Sequence, residues 1–318
     1  MTIFLQIARN SMRETLRQPV CLLVLLSALV LIGLMPLLTL FVFREQIKLV
    51  VDSALATTLA FGWALAVLSA NSTISREIRN GTVLMVLAKP VNRHVFLAAK
   101  AAGVLAALTI FSFLSGTAML IAVRVAKDQF FTDNTALGLY FGALLAGLAY
   151  GGLVNYLTRG SFCMAAVLAL LVLIPAAAGV VAMIPPDEGV ERLRVSLVPA
   201  IILVWFAVMA MGALAAALST RLDMMPNLVV CGCIFLLGLV SDHLFGRAAA
   251  GNTVAWIVYS LIPNWQLFWT ADALAAGRNV PWSYVAAGAL YTLQLLLLFL
   301  LLAIVLFRGR EVGRQDAA

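Results

Sequence analysis

The chain has 318 residues, of which 64% are hydrophobic and only 11% are charged. Soluble domains carry charge on roughly a quarter of their residues, so this composition excludes an ordinary water-exposed surface. The formal net charge is +7, but the basic residues stand mostly at the ends of apolar stretches, which argues against nucleic acid as a partner. Apolar stretches of about 20 residues without strict alternation favour spanning helices over barrel strands. The sequence therefore predicts an all-α polytopic membrane protein.

Residues 1–19 are predicted to form a helix that lies in the membrane interface before the first span. Apolar side chains share one face of this stretch, whereas Arg9, Arg13 and Arg17 follow one another at four-residue spacing on another face. An apolar stripe opposed by arginines is typical of interfacial helices, and Pro19 ends the helix. The stretch lacks the short apolar core and the small-residue cleavage site of a secretory signal peptide.

Eight membrane-spanning helices are predicted from apolar stretches of sufficient length. They cover residues 20–43, 54–73, 95–123, 136–157, 162–184, 197–218, 226–244 and 284–307. The apolar stretch 253–269 is not counted as a ninth span, because Pro263-Asn264 interrupts it and a helix resists continuing through such a pair. We expect one transmembrane domain over residues 1–318.

The distribution of basic residues predicts the orientation of these spans. With eight spans, most lysines and arginines lie on one side together with both termini, and the positive-inside rule assigns that side to the cytosol. A ninth span would move Arg308, Arg310 and Arg314 to the other side and weaken the asymmetry. We therefore expect a multi-pass protein of the cell (inner or plasma) membrane with cytoplasmic N- and C-termini.

Residues 246–281 form the longest predicted external segment. Within it, residues 262–269 combine tryptophans with the helix break at Pro263-Asn264. Because tryptophan favours the membrane–water interface, we expect a re-entrant segment that lies along the outer interface or dips into it. An ordinary loop of the aromatic belt is the alternative.

The sequence offers little catalytic or cofactor chemistry. It contains no G-x-x-x-x-G-K-S/T loop for nucleotide phosphates, no H-E-x-x-H motif and no G-x-S-x-G motif. The two histidines, His94 and His243, are predicted on opposite sides of the membrane, and the four cysteines fall in or beside apolar stretches, which favours packing roles. The predicted span centres lack Asp, Glu, Lys and Arg, which ion-coupled transporters usually carry on their pathways. We expect no catalytic residue, metal or cofactor in this chain.

The cytosolic stretch 75–93 has the most distinctive pattern. It predicts a short amphipathic helix between spans two and three, in which Gly81 allows a turn and Pro90 ends the helix. Composition alone slightly favours a simpler alternative, a membrane-surface connector that its arginines keep soluble. The residues singled out in this stretch are Arg76, Glu77, Arg79, Gly81, Thr82, Lys89, Pro90 and Arg93.

This stretch resembles the first cytosolic loop of ABC-2 type exporter permeases. The resemblance lies in the spacing Glu77-x3-Gly81-Thr82-x6-Lys89-Pro90-x2-Arg93-x6-Lys100. The N-terminal helix, with its Arg13-Glu14 pair, is similar to the elbow helix of that family. Residues 263–268 are similar to its external re-entrant segment, and residues 308–311 also fit. The family usually has six spans, so residues 136–184 look like an inserted hairpin.

The resemblance implies a permease subunit that is not itself an enzyme. Its partners would be a cytosolic ATP-binding subunit, a second permease copy and membrane lipid. Arg76, Glu77 and Arg79 would make charged contacts with the ATP-binding subunit, while Lys89 and Arg93 would anchor the loop at the lipid headgroups. A secondary transporter or channel that acts alone, and a scaffold or partner of a membrane enzyme, remain alternatives. The cargo, the choice between homodimer and heterodimer, and the choice between six and eight spans stay open.

Overall fold

The computed structural model describes residues 2–39, 45–79, 92–126, 132–185, 193–241, 243, 262–275 and 277–308. Within these residues the chain is helical and has no β-strand. In chain order the α-helices are α1 (Thr2–Arg17), α2 (Pro19–Leu38), α3 (Gln46–Ala70), α4 (Arg76–Arg79), α5 (Arg93–Val125), α6 (Asn134–Thr158), α7 (Phe162–Met183), α8 (Val198–Leu218), α9 (Met224–Ser241), α10 (Ala271–Ala275) and α11 (Trp282–Arg308). A π-helical turn, Asn71–Ser75, joins α3 to α4, and 3-10 turns lie at Val195–Leu197 and Trp265–Phe268.

Eight of the described helices are long and apolar enough to cross a membrane, which confirms the predicted fold class. They are α2, α3, α5, α6, α7, α8, α9 and α11. Two predicted span ends were wrong, because α2 ends at Leu38 instead of residue 43 and α3 begins at Gln46 instead of residue 54. Helix α3 therefore includes Lys48 and Asp52, two charged residues that the hydropathy of the sequence placed before the span. Lys48 Nζ lies 3.6 Å from Glu45 Oε2 just before the helix.

Local sequence signals set several helix ends. Pro19 occupies the first turn of α2, where its missing N–H has no helical partner to lose. Asp133 caps α6, since its Oδ1 accepts hydrogen bonds from the backbone N–H groups of Thr135 and Ala136 at 3.1 Å each. Arg159 ends α6 in the left-handed conformation, with φ at 53°.

The centre of the bundle is formed by α3, α5 and α8, which pack against one another. Of the eight spans, α8 has the largest buried share. Small residues bring these helices close together: a Cβ at Gly62 of α3 would clash with Val208 of α8, and one at Gly212 of α8 would clash with Leu108 of α5. Close packing of this kind is what drives helix association in lipid, where no hydrophobic force acts between helices.

The hairpin of α6 and α7 packs chiefly on itself and adjoins α5 and α2. Gly147 and Gly151 of α6 face Leu170 and Ala166 of α7 at contact distances that leave no room for a side chain. The Tyr140 hydroxyl donates a hydrogen bond to the Leu29 carbonyl of α2 at 2.6 Å. The hairpin is thus a unit of two spans fastened to the side of the bundle, while its description as an insertion stays a prediction.

The predicted N-terminal helix is present as α1, which packs against α5. Ser11, Thr15 and Leu16 are buried in this contact, whereas Ile3 and Leu5 are about half exposed. The predicted apolar face is therefore only partly the buried face, because a close helix contact selects small residues as well as apolar ones. The position of α1 in the membrane interface stays a prediction.

The turn Trp265–Phe268 is held between α9 and α11. The side chain of Trp265 is 2% exposed, and a Cβ at Gly238 of α9 would clash with its ring. The Asn264 N–H donates to the Tyr291 hydroxyl of α11 at 2.9 Å, and the Gln266 amide Nε2 donates to the Leu239 carbonyl at 2.6 Å. Residues 262–275 thus pack against spans, and residues 246–261 lie outside the described part. Entry of this segment into the membrane stays a prediction.

The N-terminal end of the first span, α2, and the C-terminal end of the last span, α11, lie at the same end of the bundle. At this end, which we name the α1 end, α1 packs against the π-helical turn, and the Arg221 side chain after α8 donates from Nε to the Leu306 carbonyl of α11 at 2.7 Å. Lys48, Asp52 and Arg194 lie together around a cavity at the opposite end. This arrangement is the one that an even number of spans requires.

Candidate functional site

The structure describes only part of the predicted coupling residues. Arg76 and Glu77 lie in α4, and the backbones of Arg79 and Arg93 form the end of α4 and the start of α5. The remaining predicted residues, which lie outside the described part of the chain, are Gly81, Thr82, Lys89 and Pro90. The candidate site is therefore built from the helices on both sides of the loop.

The π-helical turn Asn71–Ser75 determines how α4 meets its neighbours. Its polar side chains bond back to the helix: the Asn71 amide Nδ2 donates to the Val67 carbonyl at 2.9 Å, and the Thr73 hydroxyl donates to the Ser69 carbonyl at 2.7 Å. Such side chains compete with the regular backbone hydrogen bonds and favour a local departure from the α-helix. One extra residue in a turn rotates the following residues by about 100° around the helix axis. The turn thereby sets the direction in which the Glu77 side chain leaves α4.

Glu77 points towards a buried lysine of α5. Lys100 Nζ lies 2.6 Å from Glu77 Oε1 and 3.4 Å from Glu14 Oε2 of α1. Only 4% of the Lys100 side chain is exposed, against 24% for Glu77 and 36% for Glu14. We name these three residues the Lys100 cluster. A buried ammonium needs compensating carboxylates, because leaving it unpaired in a low-dielectric site is costly.

The Lys100 cluster also fixes α1 on α5. The Ser11 hydroxyl donates to the Lys100 carbonyl at 3.3 Å. One turn further along α5, a Cβ at Gly103 would lie 2.5 Å from the Ala8 carbonyl oxygen, so only glycine permits this approach. Three elements meet here: α1, α5 and α4, which lies within the stretch 75–93.

The sequence-based prediction gave Glu77 a different neighbour. It placed this carboxylate against a partner subunit, and that contact stays a prediction, whereas the contact with Lys100 is present within the chain. In the sequence, Lys100 marks only the end of the loop spacing. A lysine inside the apolar start of a span was the available signal, since such a charge is kept only when it is paired or functional.

A second buried ion pair lies at the opposite end of the bundle. Arg124 Nη2 in the last turn of α5 is 3.2 Å from Oδ2 of Asp133, the residue that caps α6. The exposed fractions of these side chains are 2% and 12%. The pair joins two consecutive spans at their shared connection, so its role is to stabilise that corner. With Lys100, Asp52 and Arg124 all near helix ends, the middles of the described spans carry no charge.

The four cysteines are all free thiols, and Cys21, Cys163 and Cys231 are buried while Cys233 is exposed. The burial of Cys21, Cys163 and Cys231 fits the predicted packing roles, whereas the exposed Cys233 does not. Comparison of the sequence with models of protein families and with curated proteins gives no match. The chain is thus a polytopic all-α membrane protein.

Proposed function

We propose that this chain is the membrane-spanning subunit of an ABC-2 type exporter, driven by a separate cytosolic ATP-binding subunit through the stretch 75–93. The observation that carries the proposal is the Lys100 cluster, which ties the beginning of this stretch to α1 and to α5 at once. A loop that served only as a connector would need no such buried charges. Because the sequence has no phosphate-binding loop, ATP hydrolysis belongs to the partner.

In the proposed mechanism the chain works as a dimer, with a second permease copy, in the cell membrane. Closure of the ATP-binding subunits around ATP moves the loop between Arg79 and Arg93. The continuous run of α3, π-helical turn and α4 carries this movement towards α8, and Lys100 carries it into α5. These helices form the centre of each subunit, so their movement opens the pathway between the two copies.

Two further features support the proposal, although neither lies on the proposed path of movement from the ATP-binding subunit to α5 and α8. Helix α1 exposes Ile3 and Leu5 and carries arginines, as an elbow helix in the cytosolic interface would. The turn Trp265–Phe268, docked between α9 and α11, fits an external re-entrant segment before the last span. Both assignments place the α1 end in the cytosol.

The test is reconstitution of this chain in lipid with an ATP-binding subunit encoded beside it. We expect the two to co-purify and the ATP turnover of the complex to depend on the permease. Gly81→Trp should uncouple turnover without unfolding the chain. Gly138→Trp is the matched control, because a Cβ at Gly138 meets no atom within 4 Å.

The proposal is wrong if no ATP-binding subunit assembles with the chain, or if Gly81→Trp leaves assembly and coupled turnover intact. Transport driven by an ion gradient in liposomes that contain this chain alone would establish a stand-alone transporter instead. The uncharged middles of the described spans weigh against that outcome.

A further inference from the structure

Gln294 lies near the middle of the last span, α11, and its side chain is exposed. The span runs from Trp282 to Phe307. At a rise of 1.5 Å per residue, Gln294 is roughly 18–20 Å from either end along the helix axis. Since half of the hydrocarbon core is about 15 Å thick, the amide lies close to the centre of the membrane and faces away from the bundle.

The Gln294 amide makes no hydrogen bond with any residue that the structure describes. A hydroxyl in a span can turn back to its own helix, as the Thr292 hydroxyl does when it donates to the Gly288 carbonyl at 2.8 Å. The glutamine amide has two N–H donors and a carbonyl acceptor to satisfy. Because hydrocarbon supplies no water to replace a missing partner, an unpaired amide at this depth is costly.

The face of α11 that carries Gln294 is otherwise apolar. Leu290 precedes Gln294 by four residues, and Leu297 and Leu301 follow it at spacings of three and then four residues. These leucines are 70%, 55% and 61% exposed, while the opposite side of α11 packs against α8. Alternating spacings of three and four residues form the seam by which two helices pack side by side, and one polar residue in such a seam fixes their register.

A second copy of the chain has the chemistry that this seam requires. Copies inserted in one membrane share one orientation, so Gln294 lies at the same depth in each of them. A primary amide both donates and accepts, and two of them related by a two-fold axis can therefore bond to each other. A span of another protein satisfies the amide only if it carries a polar group at this depth.

We propose that two copies of this chain associate through this face of α11. The two Gln294 amides bond to each other at the centre of the contact, and Leu290, Leu297 and Leu301 pack around them. Because α11 packs against α8, the contact adjoins the central helices of each copy. The role of this contact in an exporter rests on the proposed function, whereas the association itself does not.

Association is measured with the full chain alone in liposomes. Energy transfer between copies that carry a donor or an acceptor fluorophore on a terminal tag is followed as the lipid-to-protein ratio rises. We expect Gln294→Leu to raise the dissociation constant about fivefold to thirtyfold, as expected for loss of hydrogen bonds between spans. Gln294→Asn keeps an amide and should retain most of the association. Gln6→Leu makes the same chemical change at an exposed position of α1 and should have no effect.

Cysteine cross-linking identifies the face that meets the second copy and leaves Gln294 in place. Leu290→Cys and Val172→Cys are made separately in a Cys233→Ser background, in which the remaining cysteines are buried. Leu290 and Val172 are 70% and 67% exposed, and Val172 lies in the middle of α7. Mild oxidation in the membrane should join two copies through Leu290→Cys and leave Val172→Cys monomeric.

A natural chain that stays monomeric at every lipid-to-protein ratio would overturn the proposal, as would a Gln294→Leu variant that associates as tightly as the natural chain. Cross-linking through Val172→Cys in place of Leu290→Cys would move the contact to α7 and would also overturn it. Since Gln294 and Leu290 are exposed, their replacement removes no contact from the core, and circular dichroism checks that the helices are kept. If no ATP-binding subunit assembles with the chain, the proposed function fails while the association stands.

Discussion

The Lys100 side chain lies in a site that is almost closed to solvent. Glu77 and Glu14 both compensate it, but they are not equivalent, because Glu77 is closer and less exposed. An ion pair that keeps much of its hydration contributes little to stability, whereas loss of one partner from a buried pair leaves an uncompensated charge. We therefore expect Glu77 to contribute more than Glu14 to the stability of the folded chain.

We predict that Glu77→Gln lowers the free energy of unfolding by about 1–3 kcal/mol, and Glu14→Gln by less than about 1 kcal/mol. The measurement is the unfolding midpoint of the purified chain in a mild detergent. Glu45→Gln, which alters the exposed pair with Lys48, is the control and should change the free energy by at most about 0.5 kcal/mol. Equal losses for Glu77→Gln and Glu14→Gln would contradict the ranking.

At the scale of elements, α1 is positioned by backbone proximity as much as by charge. Gly103 of α5 lies against Ala8 and Ser11, and the Lys100 cluster lies one turn away. A side chain at position 103 must push α1 outwards, since backbone cannot yield as the end of a flexible side chain does. Movement of α1 would in turn withdraw Glu14 from Lys100.

Gly103→Ala is therefore expected to destabilise the chain by about 1–3 kcal/mol, the usual cost of overpacking. Gly138→Ala should be near neutral, because a Cβ there meets nothing within 4 Å. Thermal unfolding of both variants in the same detergent checks the difference. Combining Gly103→Ala with Glu14→Gln should cost less than the sum of the single effects, because the first change already separates Glu14 from Lys100. Additive losses would show that α1 does not carry Glu14 with it.

The elements differ in how far the sequence predicts them. The spans follow from apolar length, and α1 follows from its arginine spacing and from Pro19. Packing partners do not follow, because α5 and α8 are apolar on all sides and their periodicity marks no single buried face. The sequence did not predict the Lys100 cluster either. Its three residues come from α1, α4 and α5, and no local pattern encodes contacts between separate helices. The loop motif directed attention to Glu77, and only the structure supplied its partner.

At the scale of the whole molecule, the two ends of the bundle differ in charge. Arg9, Arg17, Arg76 and Arg221 belong to the α1 end. Of its acidic residues, Glu14 and Glu77 contact Lys100, and Asp223 accepts a hydrogen bond from Ser75. The opposite end mixes Lys48 and Arg194 with acidic side chains such as Asp52. The even number of described spans keeps the start of α2 and the end of α11 together at the basic end. The positive-inside rule favours this end for the cytosol.

Labelling of single cysteines tests that orientation. A cytosolic ATP-binding subunit can act on this chain only if the α1 end lies in the cytosol. The background is Cys233→Ser, since Cys233 is exposed and Cys21, Cys163 and Cys231 are buried. We predict that a membrane-impermeant maleimide labels Asn279→Cys in intact cells but labels Thr158→Cys only after the membrane is opened. Both positions are exposed, so burial cannot account for a difference. The reverse pattern would place α4 and the Lys100 cluster outside the cell, where no ATP-binding subunit could reach the stretch 75–93, and the proposed exporter would be ruled out while the fold remained as described.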